Sequence, residues 1–175
     1  MTFGRRVFGA ISLLILAQAA LLTGATPAHA ADPVTNDEYH LLNRGSGLRL
    51  GIEAASTQNL ADAVQFEENT SPDQVWTLWA NGSLQNLNSD KYLSVEAGGT
   101  QNLNHVVQYK WVATTDQFWD LEPSPWGRNL RTIVNRKSGK CLGIEAGSTQ
   151  NLAQAVIYTC DGTTNQSWYF VNWLG

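Results

Sequence analysis

Gly143-Ile144-Glu145-Ala146-Gly147-Ser148-Thr149-Gln150-Asn151-Leu152 is the third of three near-copies in the chain. The first is Gly51-Ile52-Glu53-Ala54-Ala55-Ser56-Thr57-Gln58-Asn59-Leu60, and the second is Ser94-Val95-Glu96-Ala97-Gly98-Gly99-Thr100-Gln101-Asn102-Leu103. Sixteen residues after the Gln of each copy comes Gln-x-Trp: Gln74-Val75-Trp76, Gln117-Phe118-Trp119 and Gln166-Ser167-Trp168. Three gapless copies mean one supersecondary unit used three times.

The repeats run over about 39–79, 83–121 and 130–171, offset by 43 and then 49 residues. The six extra residues fall around Pro123-Ser124-Pro125-Trp126-Gly127, a turn-rich insertion. Within each repeat, short apolar alternations are broken by Gly, Asn, Asp and Ser, and no window holds helical periodicity beyond two turns. That pattern predicts short strands. In the first repeat they are Tyr39–Asn43, Arg49–Glu53, Ala63–Glu67 and Val75–Trp79. The period alone also suits a propeller blade, but propellers use about four to eight blades. Three four-stranded copies instead predict an all-β chain closed as a threefold barrel, a β-trefoil. Strand alternation places Leu50 and Ile52, Leu93 and Val95, and Leu142 and Ile144 in the core, with Glu53, Glu96 and Glu145 on the outer face.

Residues 1–30 read as a secretory signal peptide. Arg5 and Arg6 precede an apolar run from Ile11 to Leu22, and Ala28-His29-Ala30 supplies a small-x-small cleavage site. Arg5-Arg6 also fits, more weakly, a twin-arginine signal. Export predicts a secreted, extracellular protein and takes the net charge from −4 to −6, because the segment carries two arginines and no acid. An acidic surface disfavours nucleic acid. With no basic amphipathic stretch, no membrane insertion is expected. The remaining 145 residues suffice for one domain, expected as a monomer. Cys141 and Cys160, an even pair in an exported chain, are expected to form a disulfide; two thiols make a poor zinc site, and no metal or cofactor is expected.

The three Gln-x-Trp motifs, the threefold period and the cysteine spacing together resemble the ricin-type β-trefoil lectins, a family that includes carbohydrate-binding modules of secreted glycoside hydrolases. The resemblance covers essentially all of 31–175. It implies that Trp76, Trp119 and Trp168 are structural. It also implies a sugar site in each repeat, built from an Asp on the second strand, an aromatic on the third and a polar residue before Gln-x-Trp. The aromatic is present as Phe66, Tyr109 and Tyr158; the polar residue is Asp73, Asp116 and Asn165, and the adjacent Gln74, Gln117 and Gln166 are counted among the expected sugar-binding residues. The family's acid is absent, its positions being Gly51, Ser94 and Gly143. Glu53, Glu96 and Glu145, two residues further along, are the expected replacements. Such residue types suit a pyranose: a ring takes its C–H face, and carboxylates or amides take neighbouring hydroxyls.

The resemblance thus implies a non-catalytic, multivalent binder of galactoside- or xylan-type glycans. A glycosidase needs one pair of carboxylates across one bond, which a threefold surface pattern does not suggest, and no G-x-S-x-G or H-E-x-x-H motif is present. The alternative is a protein-binding trefoil, such as a protease inhibitor or toxin-targeting subunit, with the Pro123–Gly127 insertion as its contact loop. Three points stay open in the sequence: whether Phe66, Tyr109 and Tyr158 face the core or the surface, whether the Ser-Thr-Gln-Asn-Leu loops are more than turns, and whether Trp126 is a binding ring or a lid.

Overall fold

Apolar alternation over three to nine residues, cut by Gly and Asn turns, produces strands and almost no helix. The computed structural model describes Met1 and residues 32–173. The expected signal segment, apart from Met1, lies outside the described residues. Twelve strands follow in order: β1 (Asp37–Asn43), β2 (Arg49–Ile52), β3 (Ala63–Phe66), β4 (Trp76–Leu78), β5 (Leu84–Asn86), β6 (Tyr92–Val95), β7 (Asn104–Tyr109), β8 (Trp119–Ser124), β9 (Gly127–Asn135), β10 (Cys141–Ile144), β11 (Ala155–Tyr158) and β12 (Ser167–Asn172).

This is the expected β-trefoil. The first and last strands of each repeat form the barrel wall, through β1–β12, β1–β4, β4–β5, β8–β9 and β9–β12 pairings. The middle strands form three hairpins, β2–β3, β6–β7 and β10–β11. The hairpins touch each other in a ring, through Val156↔His105, Asp62↔Val107 and Val64↔Gln154. The core lies where wall and hairpins meet. It holds Leu50, Ile52, Leu93, Val95, Leu142 and Ile144, as alternation predicts. Burying each contributes about 1.5–3 kcal/mol.

Trp76, Trp119 and Trp168 are fully buried in that core. Each indole Nε1–H donates to a second-strand carbonyl, Leu50 O at 3.0 Å, Leu93 O at 3.1 Å and Leu142 O at 3.0 Å. A buried indole needs such a partner, and the same bond three times locks each hairpin to the wall. Cys141 and Cys160 are disulfide-bonded, with Cα atoms 5.1 Å apart.

The structure corrects the strand ends. The second strand stops at Ile52, and Glu53–Ala55 is a 3-10 turn. Glu96–Gly98 and Glu145–Gly147 repeat it. The cause is local: Ala54, Ala97 and Ala146 take φ of 52°, 49° and 52°, which no strand accommodates. Glu53, Glu96 and Glu145 are exposed as expected, but on a turn beyond the strand. The six-residue insertion lengthens the β8–β9 hairpin, in register from Trp119↔Asn135 to Pro123↔Arg131, with a register shift before Ser124↔Gly127 at the tip. Its tip is tied down: Trp126 Nε1–H donates to Gly162 O at 2.7 Å, and the Arg44 guanidinium lies 5.1 Å from the Trp126 ring.

Candidate functional site: the outer face of the hairpins

The outer face of each middle hairpin is where the predicted residues converge. In the first repeat Gly51, Glu53, Phe66, Asn69, Ser71 and Asp73 surround a cavity of about 440 Å³. In the second, Ser94, Glu96, Tyr109, Thr114 and Asp116 surround one of about 460 Å³. The third repeat carries Glu145, Tyr158 and Asn165 at the same positions.

The hairpin register settles the aromatics. Phe66 pairs with Arg49, Tyr109 with Tyr92 and Tyr158 with Cys141. Ala63 belongs to the core and Gln65 is buried with it, so Val64 and Phe66 point outward. Val64 and Val107 are nonetheless buried, because each floors a pocket that a neighbouring repeat overhangs. The rings are therefore surface platforms, the third being 39% exposed at Tyr158.

The glycines that stand where the family has its acid are closely approached by neighbouring side chains. A Cβ at Gly51 would lie 3.1 Å from Asp73 Oδ2 and 3.0 Å from Gln74 Cγ. The Asp73 carboxylate thus stands where a second-strand side chain would project. At Gly143 the neighbours are Gln166 Cγ at 3.1 Å and Asn165 Nδ2 at 3.5 Å. Ser94 does carry a Cβ, but its hydroxyl is engaged: it donates to Tyr92 O at 3.1 Å and accepts from Gln117 Nε2 at 3.0 Å. The carboxylates come instead from the Gln-x-Trp side of each pocket, with Glu53 and Glu96 on the rim.

Gln74, Gln117 and Gln166 sit behind the pockets, buried. Their Nε2 groups donate to Glu67 O at 2.8 Å, Lys110 O at 2.9 Å and Thr159 O at 2.9 Å. Their Oε1 atoms accept from the N–H groups of Asn69 at 3.2 Å, Val112 at 2.9 Å and Asp161 at 3.0 Å. They fold the loop after the third strand around the site and hold the adjacent Asp or Asn in place.

Sequence reasoning missed a second support. Asn43, Asn86 and Asn135 are buried. Asn86 Nδ2 donates to Asp73 O at 2.7 Å, Asn135 to Asp116 O at 2.9 Å and Asn43 to Asn165 O at 2.8 Å. Each repeat so fixes the site backbone of the one before it. The signal was available, since these asparagines recur at the same 43 and 49 offsets. A third contribution breaks the symmetry: Lys137 lines the second pocket and its Nζ lies over Gly98, where Asn88 stands in the first repeat's surroundings and donates to Ala55 O at 2.9 Å.

Beneath the first pocket, His40 is buried, and desolvation holds its pKa below the usual 6.5, outweighing its bond to Gln74 O. Arg49 Nη1 lies 3.1 Å from His40 Nε2. A guanidinium only donates, so Nε2 is the acceptor and Nδ1–H donates to Gln74 O at 3.0 Å. The neutral imidazole thereby steadies the Asp73–Gln74 segment.

Residues 37–168 match the ricin-type beta-trefoil lectin domain. The chain belongs to this family. No curated protein sequence matches the chain. Among solved structures it is similar to the designed threefold-symmetric protein ThreeFoil, with TM-score 0.73 and 33% identity over 77% of this chain and 98% of that one. It is also similar to an exo-beta-1,3-galactanase from Clostridium thermocellum, with TM-score 0.74 and 27% identity over 78% of this chain. The chain spans 30% of the galactanase. The ricin B-like lectin of Macrolepiota procera, solved with lactose, shares the fold at TM-score 0.70 and 16% identity, over 81% of this chain and 99% of that one.

Proposed function

We propose that this member of the ricin-type lectin family is an exported, non-catalytic carbohydrate-binding protein with several weak sites for galactoside- or xylan-type glycans. The observation that carries the reading is the convergence of Glu53, Phe66 and Asp73 on one cavity, repeated by Glu96, Tyr109 and Asp116 on another. The ring takes the C–H face of a pyranose, and the paired carboxylates accept hydrogen bonds from adjacent hydroxyls. Glu145, Tyr158 and Asn165 make the third site, with an amide in place of one carboxylate. Gln74, Gln117 and Gln166 act by holding these groups in position. Between the two glycan classes, likeness to part of a galactanase favours the galactoside.

A shallow site of this kind binds near the millimolar range, about −4 kcal/mol. Several such sites on one rigid body gain strength on a polymer through avidity. The reading is tested by a glycan array with polysaccharide pull-down on residues 31–175, run beside Glu53→Gln/Glu96→Gln/Glu145→Gln. Wild-type retention on galactosides, lost in the triple variant, is the expected outcome. A wild type that retains no glycan contradicts the reading.

A further inference from the structure

Three leucines share a conformation that leucine disfavours and an exposure that no packing requirement explains. Leu60, Leu103 and Leu152 have φ of 66°, 68° and 65°. A bulky side chain at positive φ is an outlier, whereas Asn or Gly adopts it readily. All three are about half exposed, at 54%, 49% and 54%. An exposed apolar side chain on a strained backbone stabilises little.

The loop that carries each leucine is held without using its side chain. The leucine N–H donates to a third-strand carbonyl of the next repeat: Leu60 to Gln108 O at 2.9 Å, Leu103 to Ile157 O at 2.9 Å and Leu152 to Gln65 O at 2.8 Å. The preceding asparagine accepts from the strand end beyond, Asn59 Oδ1 from Lys110 N–H, Asn102 from Thr159 N–H and Asn151 from Glu67 N–H. Other supports differ between copies. Gln65 Nε2 donates to Ser148 O and Gln150 O, Gln108 does the same to Ser56 O and Gln58 O, and the equivalent Ile157 has no amide, so Asn104 Oδ1 takes the Gln101 N–H instead. These further supports have diverged, while the leucine and the asparagine before it have not.

The clamp delivers Leu152 and Leu60 to a neighbour's pocket. Leu152 lines the first-repeat cavity together with Phe66, and Leu60 lines the second together with Tyr109. Leu103 is held over β11 by the same clamp, at the equivalent position of the third repeat. We infer that Leu60, Leu103 and Leu152 are ligand-contacting walls: each apolar side chain faces the glycan across from the aromatic platform of the next repeat, so that every site is completed by two repeats. This deepens the lectin reading and rests on it. The pocket is then selective for a sugar with apolar surface toward both walls, and backbone strain is retained because function needs leucine at that spot.

The test is Leu60→Asn/Leu103→Asn/Leu152→Asn, which keeps the left-handed loop and removes the apolar wall. Lactose and β-1,3-linked galactobiose serve as probes, titrated by NMR, with thermal melting in parallel. We expect a melting temperature equal to or above wild type and a Kd raised about tenfold, as for loss of one apolar contact in a binding pocket. A Kd unchanged from wild type overturns the inference and leaves the lectin reading standing. A lowered melting temperature assigns the leucines to the fold and likewise overturns it. A wild type that binds neither probe brings down the lectin reading and this inference together.

Discussion

The first and third repeats solve one problem in two ways. At the mouth of the third hairpin, Cys141 on β10 is bonded to Cys160. At the equivalent place in the first, Arg49 Nη2 meets Glu68 Oε1 at 2.9 Å. The second repeat offers another answer, Tyr92 against Trp111 with ring centroids 4.5 Å apart. A covalent bond, an ion pair and an aromatic contact thus tie the second strand to the loop beyond the third. Three other features do not vary: the indole-to-carbonyl bond, the Gln clamp on the same loop and the Asn bond to the site backbone recur in every copy. The contrast separates what the trefoil requires from what it tolerates. The indole, Gln and Asn bonds are made by one geometry in every copy, whereas the tie at the surface needs only attraction.

The comparison is broken most severely by touching an invariant. Trp119→Ala removes a buried indole and orphans Leu93 O, and should cost about 3–5 kcal/mol, read by urea unfolding. Among the variable ties the order should follow chemistry. Cys141→Ser/Cys160→Ser should cost roughly 3 kcal/mol for a loop this short in the chain-entropy model. Trp111→Ala should cost less, about 0.5–1.5 kcal/mol for the ring pair plus the surface it covers. Glu68→Gln should cost under about 1 kcal/mol, because Glu68 is 74% exposed and such pairs are screened. An ion pair that outweighs the disulfide in the same assay would dissolve the distinction.

The smallest effect is on pH. His40 has a folded pKa below its unfolded value, because burial disfavours the imidazolium. The unfolded chain then binds more protons between the two values, so stability is complete above about pH 6.5 and declines as pH falls toward the folded pKa. His40→Gln should flatten that decline in a pH series of melting temperatures, with no change near neutrality in its slope.

Much of this was legible in the sequence. The three Gln-x-Trp motifs on one period gave the trefoil and the buried tryptophans, and an even cysteine pair behind an expected signal segment gave the disulfide. Other features were hidden for physical reasons. Alternation could not place Phe66, because both faces of its strand are covered, one by the core and one by a neighbour's loop. Glu53 reads as strand because no residue code marks Ala54 at positive φ. The resemblance already named Asp73, but that its carboxylate stands 3.1 Å from where a Gly51 side chain would begin needed coordinates. The Arg49–Glu68, Tyr92–Trp111 and Cys141–Cys160 series was readable from the offsets, but its members share no chemistry to draw attention to them.

In the proposed lectin sites, carboxylates approach the sugar from the Gln-x-Trp side. Site-resolved NMR titration with lactose tests it most directly, using wild type, Asp73→Asn and Asp116→Asn. Shifts should gather around Phe66 and Tyr109 in the wild type, and each substitution should silence its own pocket while sparing the other. Both pockets responding as before in the two variants, or shifts gathered on the Trp126 hairpin instead, would contradict it.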